Sequence, residues 1–236
     1  MAMVDFHSHV LPGMDDGARN VGVSLDMLRE SSAQGVDVLF STSHFYADEE
    51  DPASFLSRRA AAYEELTEAM ARTGAAYPEI HLGAEILYFP GMSCADELKG
   101  LSMGDTGCLL IEPPMMRWTD MMLDEIEQTG ANLGRIPVIA HIDRFMRMLG
   151  DDTLFERVRD RKMLIQVNAS FFLRSDSLPL ALKYLSEGRI HFMGSDCHNM
   201  DDRAPNMGMA ANVILGAGER GAFSAFNERI YYFLGR

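Results

Sequence analysis

Along this chain, short dense apolar runs alternate with longer stretches in which apolar residues recur every three to four positions. The dense runs are "MVDFH" (3–7), "VDVLFSTS" (36–43), "EIHLGAEI" (79–86), "CLLIEP" (108–113), "IPVIAHI" (136–142), "MLIQVNA" (163–169) and "IHFMGSD" (190–196). Their Val, Ile, Leu and Phe content predicts strands buried on both faces. The longer stretches predict helices over 20–35, 51–74, 118–130, 151–161, 177–188, 205–217 and 219–233. Asn20 suits a helix start, Pro52 a first helical turn, and Gly35 and Gly74 suit helix ends. No repeat, low-complexity tract or linker interrupts the series, so one domain over 1–236 is expected. Seven strand–helix units predict an α/β fold, either a barrel or an open doubly wound sheet.

Polar residues change this picture, because they gather at strand ends. His7 and His9 close the first strand and His44 the second. Glu85, Glu112 and His141 close the third, fourth and fifth, and Asp196 and His198 the seventh. In a parallel barrel the C-terminal strand ends share one face, where active sites are built. Residues i and i+2 on a strand face the same way, so His7 and His9 can reach one ion. Together with Asp16, these residues make nine candidate ligands: His7, His9, Asp16, His44, Glu85, Glu112, His141, Asp196 and His198. One ion takes about three to six protein ligands, so nine suit two or three ions. Imidazole and carboxylate without thiolate suit Mn, Fe, Zn or Co. His191 has the opposite strand parity to Asp196, and His81 lies about 13 Å down the strand from Glu85, so both are expected to be structural.

Charge and cysteine content narrow the function. A net charge of −14 disfavours nucleic acid as partner. It leaves phosphate chemistry open, since bound cations can reverse the sign inside a pocket. Three widely spaced cysteines, Cys94, Cys108 and Cys197, predict a reducing, cytoplasmic setting without a disulfide framework. Neither a targeting segment nor a membrane-length apolar run is expected, and so no direct membrane insertion.

The ordered motifs "DFHSHVLPGMDDG", "STSH", "GAE", "LIE", "AHIDR" and "SDCHNMDDR" resemble the PHP superfamily (polymerase and histidinol phosphatase) over residues 3–210. They resemble most closely its bacterial protein-tyrosine phosphatases of the capsular and exopolysaccharide type. That resemblance implies a distorted seven-stranded, TIM-like (β/α) barrel, with a trinuclear and usually manganese-dependent site at the C-terminal face of the strands. It also implies how ligands are shared: His7, His9, Glu85 and Asp196 on the first ion, Glu85, Glu112 and His141 on the second, and Asp16, His44 and His198 on the third. Arg144 and Arg203 match the family's phosphate-binding, catalytic arginines. The implied activity is hydrolysis of protein phosphotyrosine, with an autophosphorylating bacterial tyrosine kinase that controls capsular or exopolysaccharide synthesis as partner. Histidinol phosphate or another small phosphate ester is the alternative substrate, and an inactive metal-binding scaffold the alternative of another class. Asp143 stands where the tyrosine phosphatases often carry glutamate, and Cys197 where they often carry methionine.

Two stretches invite further readings. "CHNMDDR" has the C-x5-R spacing of cysteine-dependent tyrosine phosphatases, from Cys197 to Arg203. Its two acids, lack of glycine and metal-type histidine argue against a nucleophilic thiol. "PPMMRWTDMML" (113–123) places Trp118, the only tryptophan, just after Glu112. Trp118 is either a helix-start residue packed on the barrel or a substrate-binding apolar lip.

Overall fold

The computed structural model, which describes residues 3–235, turns this alternation into a curled, wholly parallel sheet wrapped by helices. The first part of the chain runs β1 (Met3–Ser8), α1 (Val21–Ala33), β2 (Val36–Ser41), β3 (His44–Phe45), α2 (Pro52–Thr73), β4 (Glu79–Leu82) and β5 (Glu85–Leu87). It continues with β6 (Cys108–Glu112), α3 (Asp120–Leu133), β7 (Ile136–Ile139), α4 (Ile142–Leu149), α5 (Leu154–Arg159) and β8 (Leu164–Asn168). The last elements are α6 (Leu178–Ser186), β9 (Phe192–Gly194), α7 (Met207–Gly216) and α8 (Arg220–Phe233). One sheet has the order β1-β2-β4 and the other β3-β5-β6-β7-β8-β9. A parallel bridge from Ser8 to Cys197 links the segment after β9 back to β1.

Among the described residues nine strand segments replace the seven expected, because the run at 36–43 is followed by a separate short strand and the run at 79–86 breaks once. Thr42 and Ser43 leave the ladder, as do Gly83 and Ala84. Backbone bonds nevertheless carry each path across its break: Thr42 N donates to Ser8 O at 2.8 Å, and Gly83 N to Ser41 O at 2.8 Å. The sequence pattern does not predict α4, which begins directly after His141.

Inward-facing positions explain where the polar residues end up. Val4, Phe6, Val38, Phe40, Leu110, Val138 and Phe192 form one buried cluster inside the curl. Phe6 stacks on Phe192 at 4.0 Å, and Ile230 near the end of α8 belongs to the same plug. Two residues further along the same parity lie Glu112 after Leu110, and Gln166 and Asn168 after Leu164. Polar groups thus form an upper layer on an apolar plug. In β1 the register shifts between Asp5, opposite Leu39, and Ser8, opposite Ser41. The extra residue is a bulge, which re-aims side chains. It lets both Phe6 and His7 face inward, one into the plug and one into the polar layer.

His191 and His81 lie away from that layer. His81 stacks on Phe40 at 5.1 Å and pairs with Glu79 at 3.1 Å. His191 accepts a hydrogen bond from the Ile165 backbone at its Nδ1, 3.1 Å away. Burial, with help from the Arg229 charge, pulls His191 from 6.5 down to about 4. The unfolded chain therefore binds more protons between pH 6.5 and 4. The His191 contribution is complete above pH 6.5 and lost as pH falls through 4. Its full size is on the order of 3 kcal/mol. Urea midpoints of His191→Gln should fall less steeply over this window than those of the unaltered protein. Parallel curves would assign the acid sensitivity to another group.

Candidate metal centre

All nine candidate ligands come together in or at the rim of the upper layer, six of them buried. His7, His9, Glu85 and His141 have no exposed surface. Glu85 sits at the centre. Its Oε2 lies 3.0 Å from His7 Nε2, 3.2 Å from His9 Nε2 and 3.2 Å from His44 Nδ1, and its Oε1 lies 2.7 Å from His141 Nε2. Burial opposes a charge on Glu85, yet the charges of His7 and His141 hold its carboxyl well below the usual range.

Outer partners fix how the imidazoles present themselves. Gln166 Oε1 accepts from the His141 backbone N–H at 2.5 Å, while its Nε2 donates to Val167 O and Asn168 Oδ1. The amide cannot be turned round without losing these bonds, so His7 Nδ1, 3.3 Å from Oε1, must be the donor. Asp15 Oδ2 accepts from His9 Nδ1 at 2.8 Å, and the Asp196 backbone oxygen accepts from His198 Nδ1 at 3.0 Å. In the neutral form, three histidines are thereby held with Nε2 lone pairs pointing inward. His7 Nε2 and His9 Nε2 face each other at 3.1 Å, with a carboxylate oxygen against both. Acceptors at that spacing repel unless a proton or a metal ion lies between them.

The spacing also fits a cation's coordination shell. Ligands about 2.1 Å from an ion are about 3.0 Å apart at right angles and about 3.4 Å apart at tetrahedral angles. Among His7, His9, Glu85 and Asp196, five of the six donor separations are 3.0, 3.1, 3.2, 3.6 and 3.6 Å. His141 Nε2 lies 3.4 Å from Glu112 Oε1, which places it with Glu85 and Glu112. His44 faces two ways: Nδ1 lies 4.0 Å from Glu112 Oε2, and Nε2 lies 3.6 Å from Asp16 Oδ1. Asp16, at the exposed rim, is 3.3 Å from His198 Nε2. Burial and the neighbouring His9 charge pull His198 down to about 3, so it stays neutral and able to donate its lone pair. His9 goes the other way: against the cost of burial, its bond to Asp15 and the charges of Asp15 and Glu85 raise it to about 10, so a metal ion must displace the Nε2 proton to reach the lone pair.

Asp196 joins this cluster to a cavity of about 150 Å³. Arg144 Nη2 donates to Asp196 Oδ2, Arg203 Nη2 to Oδ1 at 2.8 Å, and Asn168 Nδ2 to Oδ2 at 2.9 Å. Both guanidiniums are partly exposed and line the cavity with Ser170 and Ser195. His141 (φ 28°) and Asp196 (φ 54°) are the two non-glycine residues with positive φ among the described residues. Such backbone costs on the order of 1–3 kcal/mol per residue and concentrates at functional sites.

The structure corrects one expectation. Trp118 forms no lip: it is 2% exposed and packs edge-on against Phe145 at 5.0 Å. Phe145 in turn lies 5.3 Å from the His141 ring, so the indole supports a site residue from behind. A larger cavity, about 950 Å³, borders Trp118 through Arg117, Thr119 and Arg157, but lacks the histidine cluster. Cys197 is fully buried, and burial together with the Asp5 charge pushes its thiol up. The loop amides after it turn inward: His198 N donates to Arg203 O at 2.9 Å, and Asp201 N to Asn199 Oδ1 at 2.8 Å. They cannot cradle a phosphate beside that sulfur.

Sequence reading missed the outer partners. Asp15 is half of the "DD" pair, of which the sequence pattern marks only Asp16 as a ligand. Gln166 and Asn168 are polar residues at inward parity inside an apolar run, a signal available from spacing alone. Asp5 escapes that rule. Its Oδ1 holds the Ser195 amide at 2.8 Å and the His7 amide at 3.2 Å, tying β1 to β9 at the bulge.

Comparison with known proteins identifies the family and the fold. The family described as capsular polysaccharide synthesis, CpsB/CapC, matches residues 3–224. Tyrosine-protein phosphatase CpsB of Streptococcus pneumoniae is 30% identical over 230 residues, covering 90% of this chain and 89% of that protein. Tyrosine-protein phosphatase YwqE of Bacillus subtilis is 27% identical over 210 residues, covering 85% and 79%. The fold matches that in crystal structures of YwqE from Bacillus subtilis and CpsB from Streptococcus pneumoniae, described as unique metal-dependent tyrosine phosphatases. The TM-score is 0.82 at 24% identity, over 96% of this chain and 92% of that one.

Proposed function

The chain belongs to the CpsB/CapC family of capsular polysaccharide synthesis, and on that premise we propose that it is a metal-dependent protein-tyrosine phosphatase. The observation that carries the reading is the set of inward-facing lone pairs on His7, His9 and His198, fixed by Gln166, Asp15 and the Asp196 carbonyl. His7, His9, Glu85 and Asp196 would hold one divalent ion, Glu85, Glu112 and His141 a second, and Asp16, His44 and His198 a third, with manganese the favoured metal. His44 Nδ1 also stands close enough to share the second group. When bound, such ions lower the pKa of water from 15.7 toward about 7 and polarise phosphoryl oxygens.

The chain's own residues supply the rest. Arg144 and Arg203 each keep a guanidinium edge toward the cavity, a geometry suited to the oxygens of a phosphate monoester. Four ligand carboxylates against three divalent ions leave a positive pocket, and the two arginines deepen it, inside a protein of net charge −14. Burial and the Glu85 charge push Glu112 up to about 8, so its full ionisation depends on nearby positive charge. Gln166 and Asp15 hold two of the imidazoles in one tautomer throughout. The substrate would be phosphotyrosine on a bacterial tyrosine kinase of capsular or exopolysaccharide synthesis. The three free thiols suit a cytoplasmic setting. The Ser8–Cys197 bridge supports reading the curled sheet as a distorted seven-stranded barrel in one domain over 1–236.

Elemental analysis of the purified protein, with phosphatase assays after chelation and metal return, tests this reading. Chelation should abolish turnover and Mn should restore it. Phosphotyrosine peptide should be a better substrate than histidinol phosphate by kcat/KM. Cys197→Ser should retain turnover. Chelator-resistant turnover that disappears in Cys197→Ser would overturn the proposal in favour of thiol chemistry.

A further inference from the structure

Four arginines, more than one phosphate dianion needs, line the cavity beside Asp196: Arg144, Arg147, Arg174 and Arg203. Arg144 and Arg203 are engaged with Asp196. Arg147 lies one helical turn beyond Arg144 on α4, is exposed, and makes no ion pair among the described residues. Arg174 pairs only with the exposed Asp176, through Nε at 3.1 Å and Nη2 at 2.5 Å. A second cavity of about 250 Å³ abuts the first, and Asp143, Arg147 and Arg174 line both. Its apolar lining comes from Met146, Phe171 and Leu180. Asp152 and Asp176 also line it; Asp152 has no ion pair with either arginine, and Asp176 is already paired with Arg174. Two guanidiniums therefore continue outward from the phosphate cavity along one wall, Arg147 without an ion pair and Arg174 held by Asp176, with the carboxylates of Asp143 and Asp152 beside them.

We infer that Arg147 and Arg174 form a second anion subsite, which selects phosphopeptides carrying another negative group within one or two residues of the phosphotyrosine. This rests on the phosphate-site reading given above. The phosphate occupies the inner cavity, the peptide backbone crosses the shared wall, and the neighbouring anion meets the two guanidiniums. Arginine suits the task because its planar fork can hold a carboxylate or a phosphate with paired hydrogen bonds. The anion can therefore be an acidic side chain or a second phosphorylated residue, and the test separates these sources.

The probes are peptides with a non-hydrolysable phosphonate analogue of phosphotyrosine, so that binding is read without turnover. One carries alanine at the flanking positions, one glutamate and one a second phosphonate. Fluorescence anisotropy on the manganese-loaded protein should give a Kd about tenfold lower for an anionic peptide than for the alanine peptide. Whichever anionic peptide binds more tightly identifies the source. In Arg147→Gln/Arg174→Gln the ratio should fall to about one, and in Arg147→Glu it should invert, since charge reversal repels the same group. Raising salt should shrink the ratio in the unaltered protein, because the subsite is exposed. Equal affinity for all three peptides, or a preference that survives the double substitution, overturns the inference while leaving the phosphate site standing. If the phosphonate itself confers no affinity, the phosphate-site reading fails, and the inference fails with it.

Discussion

Glu85→Gln should lower kcat/KM for a phosphotyrosine peptide by about a thousandfold or more, equivalent to about 4 kcal/mol of transition-state stabilisation. Glutamine keeps the shape of the side chain, so the packing around residue 85 survives. What disappears is the one buried anion that four imidazoles face, those of His7, His9, His44 and His141, at 2.7–3.2 Å. An amide offers one oxygen where the carboxylate offers two, and these two oxygens face different histidines. A single carboxylate serving two ions therefore cannot be imitated. The same change should reduce bound manganese and shrink the rise in melting temperature that manganese produces, since binding to the native state stabilises it by mass action. A variant with near-normal turnover and metal content would remove Glu85 from the centre of the proposed site.

The candidate site was legible because parallel strands impose two rules at once. Their C-terminal ends share a face, and alternate residues share a side. His44 and Glu112 each end an apolar run, and a strand pattern is enough to bring them together. The same rules fail where the backbone departs from them. The β1 bulge places Phe6 and His7 on the same side, something alternation forbids. His141 and Asp196 adopt positive φ, so their side chains leave the strand direction in ways no hydropathy pattern records. The interruptions at Thr42–Ser43 and Gly83–Ala84 split two strands without altering the apolar signal.

Side chains with two plausible fates were decided by tertiary contact. Trp118 follows a ligand strand and sits among methionines, so its sequence neighbours suit a lip as well as a core. Phe145, projecting from a helix the pattern did not predict, takes it into the core. Asp15 and Asp16 are adjacent and chemically identical. The turn that lets Asp15 accept from His9 Nδ1, the His44 amide and the Gly17 amide sends Asp16 outward to His44 and His198.

Gly194→Ala should lower the melting temperature by about 6–12 °C, a loss of about 3 kcal/mol for a chain of this size. A Cβ on Gly194 would stand 2.4 Å from His7 Cβ, 2.7 Å from His7 N and 2.9 Å from His7 Cα. Two of these three atoms are backbone, so no side-chain rotation relieves the clash, and β9 and β1 must move apart. That separation strains bonds holding both segments: Asp196 N to His7 O at 2.8 Å, Ser195 N to Asp5 Oδ1 at 2.8 Å, and His9 N to Cys197 O at 2.9 Å. Each bond anchors a candidate ligand or its neighbour, so His7 and Asp196 lose their register with each other. Weaker manganese binding should therefore accompany the lost stability. Gly216→Ala is the matched control, because a Cβ there meets nothing within 4 Å and alanine favours helix. Its melting temperature should stay level or rise slightly. Thermal melts of both variants with and without manganese decide the matter. A Gly194→Ala protein that melts with the control and binds manganese normally would mean that the approach of β9 to His7 does not set the geometry of the site.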